Sequence, residues 1–94
     1  MYLRITRLRF DPARADELLR LTQPTTATIR QLPGFQGVYD GLDRANGTAV
    51  AVSLWDTEEH AQMSSAAFRD IVPHLQALGV QMEPLGIYEV VTHA

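Results

Sequence analysis

Three histidines, three tyrosines, one tryptophan and a threonine-rich run are the side chains with which this sequence could hold or transform a ligand. It has no cysteine and no lysine. That excludes a thiol nucleophile, a disulfide, a thiolate zinc site, a Schiff base and a phosphate-loop lysine. His60 follows Trp55 closely in "VSLWDTEEH". On a helix turning about 100° per residue it shares a stripe with Met63, Ser64, Ala67 and Ile71 and points toward the sheet. There it could act as a general base, or sit half-buried with a backbone hydrogen bond. His74 follows Asp70 at i+4, where a carboxylate can orient an imidazole for proton abstraction. It also lies about 95° from the centre of the Phe68, Ile71 and Leu75 stripe, which fits a solvent-facing pair. His93 sits in a fraying terminus.

Trp55 ends an apolar run and has two readings: it stacks on a flat aromatic ligand, or it plugs the core with its N–H tied to a neighbouring carbonyl. In "LTQPTTATI", Thr22 and Thr25 fall on an inward stripe between Leu21 and Ile29. Their hydroxyls suit a polar-tipped binding cavity, or bonds to carbonyls one turn back and to groups freed by Pro24. Tyr39 and Tyr88 supply phenols able to bind a quinone-like oxygen, or to serve in a core or an interface. No histidine and carboxylate cluster has metal-ligand spacing, and "EEH" reads as a solvated helix start.

The elements that must carry these groups are marked by punctuation. Residues 2–10 are rich in strand formers, with Leu3 and Ile5 on one face and Leu8 and Phe10 on the other, which predicts a bulge or a change of partner near Thr6. Asp11 and Pro12 open a helix whose stripe runs through Leu18, Leu21, Thr25, Ile29 and Leu32, with a break near Gln23 ahead of Pro24. "FQGVYDGLD" and "TAVAVSLW" form a hairpin through Asn46-Gly47. Asp56 and Glu59 make a carboxylate capping box, so a second helix starts directly after Trp55 and runs, kinked at Pro73, to a C-cap at Gly79. "GIYEVV" is the last strand. The order βαββαβ defines an α+β, ferredoxin-like domain with a four-stranded antiparallel sheet and two kinked helices on one face. The small residues Ala49 and Ala51 of the third strand would let the bare face meet a second sheet about 10 Å away, which makes a face-to-face homodimer the simplest cover.

Ninety-four residues form one domain, residues 1–94, too short to bury more than about 60 to 65% of its unfolded surface. The net charge is −3 and the cations are eight scattered arginines, which argues against nucleic acid or an anionic membrane surface as partner. No apolar run approaches the roughly 18 residues of a membrane span, and the start lacks a signal-peptide pattern. With no cysteine, the cytoplasm is the expected compartment.

"LPGF", "NGTAVAVSLWDTEEH" and "GIYEVV" together resemble the antibiotic biosynthesis monooxygenase family of dimeric α/β barrels, over nearly the whole chain. The resemblance implies a homodimer with a pocket between sheet and helices in each subunit. It also implies oxidation of a hydrophobic aromatic or polyketide-like small molecule without metal or flavin, hence no cofactor. Oxygenases of the family use an asparagine on the third strand, where this chain has Ala51 and Val52. Haem-degrading relatives use a first-strand asparagine, a second-helix tryptophan and a histidine near the position of His74; only the histidine has a counterpart here. The resemblance therefore leaves a non-catalytic binding barrel as the alternative to an oxygenase, with haem binding as a lesser one.

Overall fold

The strand β1 (Tyr2–Arg9) is central because both its faces carry apolar side chains, Leu3 and Ile5 on one and Leu8 on the other. It runs antiparallel to β3 (Thr48–Trp55) in unbroken register, from Tyr2 opposite Trp55 to Arg9 opposite Thr48. The bulge expected near Thr6 is absent, and the change of partner is present on the other edge of β1. There Tyr2–Ile5 pairs with β5 (Gly86–Glu89), and Leu8 and Arg9 pair with β4 (Gln81–Met82). Pro84 lies between the two segments and has no N–H for the ladder, so the final strand splits; the Glu83 N–H still reaches the Arg7 carbonyl at 2.9 Å. β2 (Phe35–Asp43) covers the far edge of β3, with a bulge between Phe35 and Gly37. The order is β2-β3-β1, with β4 and β5 end to end along the outer edge of β1, all pairs antiparallel.

This computed structural model describes residues 1–63 and 65–94, Met63 by its backbone. Ser64 and the Met63 side chain, assigned above to the stripe of His60, lie outside the described residues.

Asp11 caps as expected, its carboxylate accepting the Ala13 N–H at 3.0 Å, but it opens a 3-10 turn (Pro12–Arg14) ahead of α1 (Ala15–Ile29). α1 passes through Pro24 without a break at Gln23. Threonine hydroxyls dress this stretch: Thr22 donates to the Leu19 carbonyl at 3.2 Å and Thr28 to the Pro24 carbonyl at 3.1 Å. The second helical region comprises α2 (Glu58–Met63), α3 (Ser65–Phe68) and, after a turn at residues 69–71, α4 (Val72–Ala77). Pro73 sits in the first turn of α4, where its missing N–H costs nothing, so it starts a helix and does not kink one. Gly79, at φ +77°, ends α4 as anticipated: Val80 N–H returns to Leu75 O and Gly79 N–H to Gln76 O, both at 3.0 Å.

The helices pack on one face of the sheet around two apolar clusters. Phe10, Ala15, Leu18, Ile71, Leu75 and Val80 form the first; Ile29, Trp55 and Ala61 form the second. Ala49, Ala51 and Trp55 share the face of Arg4, Thr6 and Leu8, beneath the helices. The small residues of β3 thus make room under the helices and not for a second sheet. The bare face carries the alternate set, Leu3, Ile5, Val52 and Leu54 with Tyr39 and Tyr88.

Candidate functional site

Between the two clusters the packing leaves a cavity of about 110 Å³, walled by Leu18, Ile71 and Leu75 of the first and Ile29 of the second. The strand registers set its floor as three cross-sheet rows: Leu42, Ala49 and Leu8; Asp40, Ala51 and Thr6; Val38, Ser53 and Arg4. A methyl group stands at the centre of two of these rows, and on the α1 stripe Thr22 and Thr25 take positions where leucines would have filled the space. The cavity exists because four small side chains face one another. Thr22 spends its hydroxyl on the Leu19 carbonyl, whereas Thr25 makes no side-chain hydrogen bond among the described residues.

Two ionisable groups line this otherwise apolar space. Arg4 is 7% exposed, and no carboxylate lies within ion-pair distance of it among the described residues. Its guanidinium sits 4.4 Å from the centre of the Phe68 ring and donates to the hydroxyls of Thr6 and Ser65, each at a long 3.3 Å. Its Nε is buried without a hydrogen-bond partner among the described residues. Burial lowers its pKa from the ordinary arginine value, though a guanidinium starts so high that it keeps its proton. Asp40, one row away across Ala51, has its carboxyl pKa raised by partial desolvation. With strands about 4.8 Å apart and same-face residues about 7 Å apart, the two Cα atoms are about 12 Å from each other, a span that one small ligand can bridge.

Trp55 occupies the next row, behind Ser53, and is 0% exposed. Its indole N–H donates to the Ser53 hydroxyl at 2.8 Å, and its ring meets Phe35 edge-on at 5.7 Å and 76°. It does not line the cavity; it backs the wall that Ser53 presents. The tie to a neighbour is to a hydroxyl and not to a carbonyl.

His60 is also outside the cavity. The cap of α2 is Thr57, whose hydroxyl accepts the His60 N–H at 3.1 Å and whose carbonyl accepts the Ala61 N–H at the same distance, so the helix starts later than the Asp56 and Glu59 capping box implied. Asp56 is thereby free to bond His60 Nδ1 at 2.6 Å, and this bond holds its carboxyl below the usual carboxylate range. The pair rests on Gly34, at φ +80°, where any side chain would collide with the Asp56 carboxylate and the His60 ring. Ala61, fully buried, is the inward residue of α2. The stripe starting at His60 is one residue off at its beginning: Ala61, Ile71 and Leu75 are the buried positions among the described residues, Phe68 packs against both clusters, and a turn at residues 69–71 separates α3 from α4. His74 is exposed on α4 and makes no ion pair with Asp70 among the described residues. Tyr39 and Tyr88, 73% and 53% exposed, lie on the opposite face of the sheet, since strand alternation puts them with Val52 and Leu3. Of the residues singled out in the sequence, then, the structure brings only Thr22 and Thr25 to the cavity. Arg4 and Asp40 were missed. Their only signal was a charged residue on a strand with both faces apolar, and nothing in the sequence tells which face the helices cover. No group of three or more potential metal ligands occurs among the described residues.

The fold is that of the antibiotic biosynthesis monooxygenases. A candidate member from Deinococcus radiodurans superposes with a TM-score of 0.85 over 100% of this chain and 96% of its own, at 18% identity. SnoaB, a cofactor-independent oxygenase from Streptomyces nogalater, gives 0.73 over 98% and 94%, at 20% identity. A dimeric ferredoxin-like protein from an uncultured marine organism gives 0.75 over 100% and 98%, at 10% identity. No family model matches the chain, and no curated protein matches it in sequence. At these identities the likeness concerns the fold, and activity must be argued from the cavity.

Proposed function

We propose that this protein is a cofactor-independent oxygenase acting on an aromatic or polyketide-type small molecule held between sheet and helices. The observation that carries this reading is a partly open apolar cavity with one carboxylate at its rim, Asp40, exposed yet partly desolvated and so better matched to accept a proton than an aspartate in water. A fold shared with SnoaB supports it. In the reaction, Asp40 takes a proton from an activated methylene flanked by aromatic or carbonyl groups. The resulting carbanion gives its electrons to dioxygen, and the O–O bond then breaks. One oxygen stays on the carbon as a carbonyl, and the other leaves as water with the two methylene hydrogens. The substrate supplies all four electrons, so the balance needs no external reductant.

Oxygen uptake tests the reading, measured after chelation and without added flavin on a panel of activated methylene compounds from single-ring benzyl ketones to anthrone. Asp40→Asn should lower turnover by about 10²-fold or more, while His60→Ala leaves it unchanged. No uptake with any member of the panel refutes it. The second reading is a binding barrel without turnover. It is favoured by a cavity lining that, among the described residues, contains no asparagine, glutamine or histidine to steer oxygen. Binding without uptake selects it.

The bare sheet face is proposed to pack against a second copy of the chain. It presents the partly exposed Leu3, Ile5, Val52 and Leu54 side by side, flanked by the exposed Tyr39 and Tyr88, an apolar strip that a second sheet would cover. The marine structural neighbour is itself dimeric. Among the described residues no helix is long and apolar enough to cross a membrane.

A further inference from the structure

Resting on the reading that this cavity is the ligand site, we propose that its ligand is a single-ring aromatic carrying one anionic oxygen, which docks against Arg4. A buried guanidinium with no carboxylate nearby is an arrangement that folded proteins avoid, because the desolvated charge is uncompensated. Phe68 and two hydroxyls at 3.3 Å soften the penalty without cancelling the charge, and Nε has no hydrogen-bond partner among the described residues. The missing component is an anion. Carboxylate and phenolate oxygens both suit a guanidinium fork, and an apolar enclosure strengthens their attraction to it. The opposite wall, Asp40, sets the polarity: an anionic end there would meet a carboxylate, so the ligand's charged oxygen faces Arg4 and its neutral end faces Asp40.

Size narrows the class. The cavity measures about 110 Å³, below the roughly 150 Å³ of an engineered apolar cavity that binds benzene. One ring fits with small adjustments, and a fused tricycle does not enter without the helices moving. In the oxygenase reading, Arg4 would also hold the enolate or phenolate oxygen on which charge accumulates once Asp40 has taken the proton.

Benzoate, its neutral isostere benzamide and 4-nitrophenol are the probes, none of which is oxidised by the proposed reaction. By calorimetry at pH 7 the wild-type protein should bind benzoate at least tenfold more tightly than benzamide. Bound 4-nitrophenol should show a growing phenolate absorbance at a pH where the free phenol is largely neutral. The first arm reads carboxylates and the second phenolates; either positive result supports the anion site and says which source it takes. In Arg4→Gln the benzoate preference should vanish, and in Arg4→Lys it should largely persist. Arg4→Met should melt no lower than wild type, which separates a ligand-directed arginine from a structural one. Equal affinity for benzoate and benzamide with no phenolate signal overturns the proposal whatever the variants do, as does a preference that survives in folded Arg4→Gln. Affinity that rises from benzoate to 2-naphthoate to 2-anthroate overturns the one-ring assignment. Oxygen uptake without charge preference removes this inference alone; charge preference without uptake removes only the oxygenase reading.

Discussion

Removing the indole of Trp55 tests whether this residue belongs to the core or to the ligand. Trp55→Ala exposes or empties a site that is 0% accessible, and a buried tryptophan removes about 200 Å² from water. At about 25 cal/mol per Å² this is about 5 kcal/mol, or about 3 to 4.5 after allowance for a compact unfolded chain. The edge-on contact with Phe35 adds about 0.5 to 1.5 kcal/mol, and the Ser53 hydroxyl left without its donor adds about 1. A loss of about 4.5 to 7 kcal/mol is therefore expected, comparable with the whole stability of a small domain. The assay is urea unfolding by far-UV circular dichroism at one fixed protein concentration, because the mutation deletes the only tryptophan fluorescence and because a dimer's stability depends on concentration. Trp55→Phe keeps most of the packing and loses the indole N–H bond, for a cost of about 1 to 2 kcal/mol. A loss below about 2 kcal/mol for Trp55→Ala would refute the reasoning, since a cavity-backing plug cannot be removed so cheaply.

Two further expectations concern the surfaces away from the cavity. The carboxyl of Asp56 should titrate below the ordinary aspartate range by NMR and return to it in His60→Ala, because the hydrogen bond to the imidazole is the main cause of the lowering. A pKa lowered by folding contributes stability that is full above the unfolded value, near 4, and is lost as pH falls through the folded value; the acid-unfolding curves of wild type and His60→Ala should therefore part above about pH 4 and converge below it. Light scattering should give twice the 10.5 kDa chain mass for the wild type and the chain mass itself for Val52→Glu with Leu54→Glu, which puts two charges in the middle of the bare face. A wild type that is monomeric at micromolar concentration refutes the sheet-to-sheet dimer.

Local chemistry carried much of the fold into the sequence. Pro12 behind Asp11, Asn46-Gly47, Gly79 and the alternation of the strands act within a few residues, so they can be read without knowing what packs on what. The βαββαβ order follows from them. Tertiary structure decided what local rules leave degenerate. β1 is apolar on both faces, so its pattern could not say whether Leu8 or Ile5 meets the helices, and with that choice went the positions of Arg4, Asp40, Tyr39 and Tyr88. In the second helical region the packing buries Ala61, Ile71 and Leu75, so the inward side begins one residue past His60. The cavity is the least local feature of all. It arises where Ala49 and Ala51 of the sheet come opposite Thr22 and Thr25 of α1, and the emptiness belongs to that meeting and to none of the four residues alone.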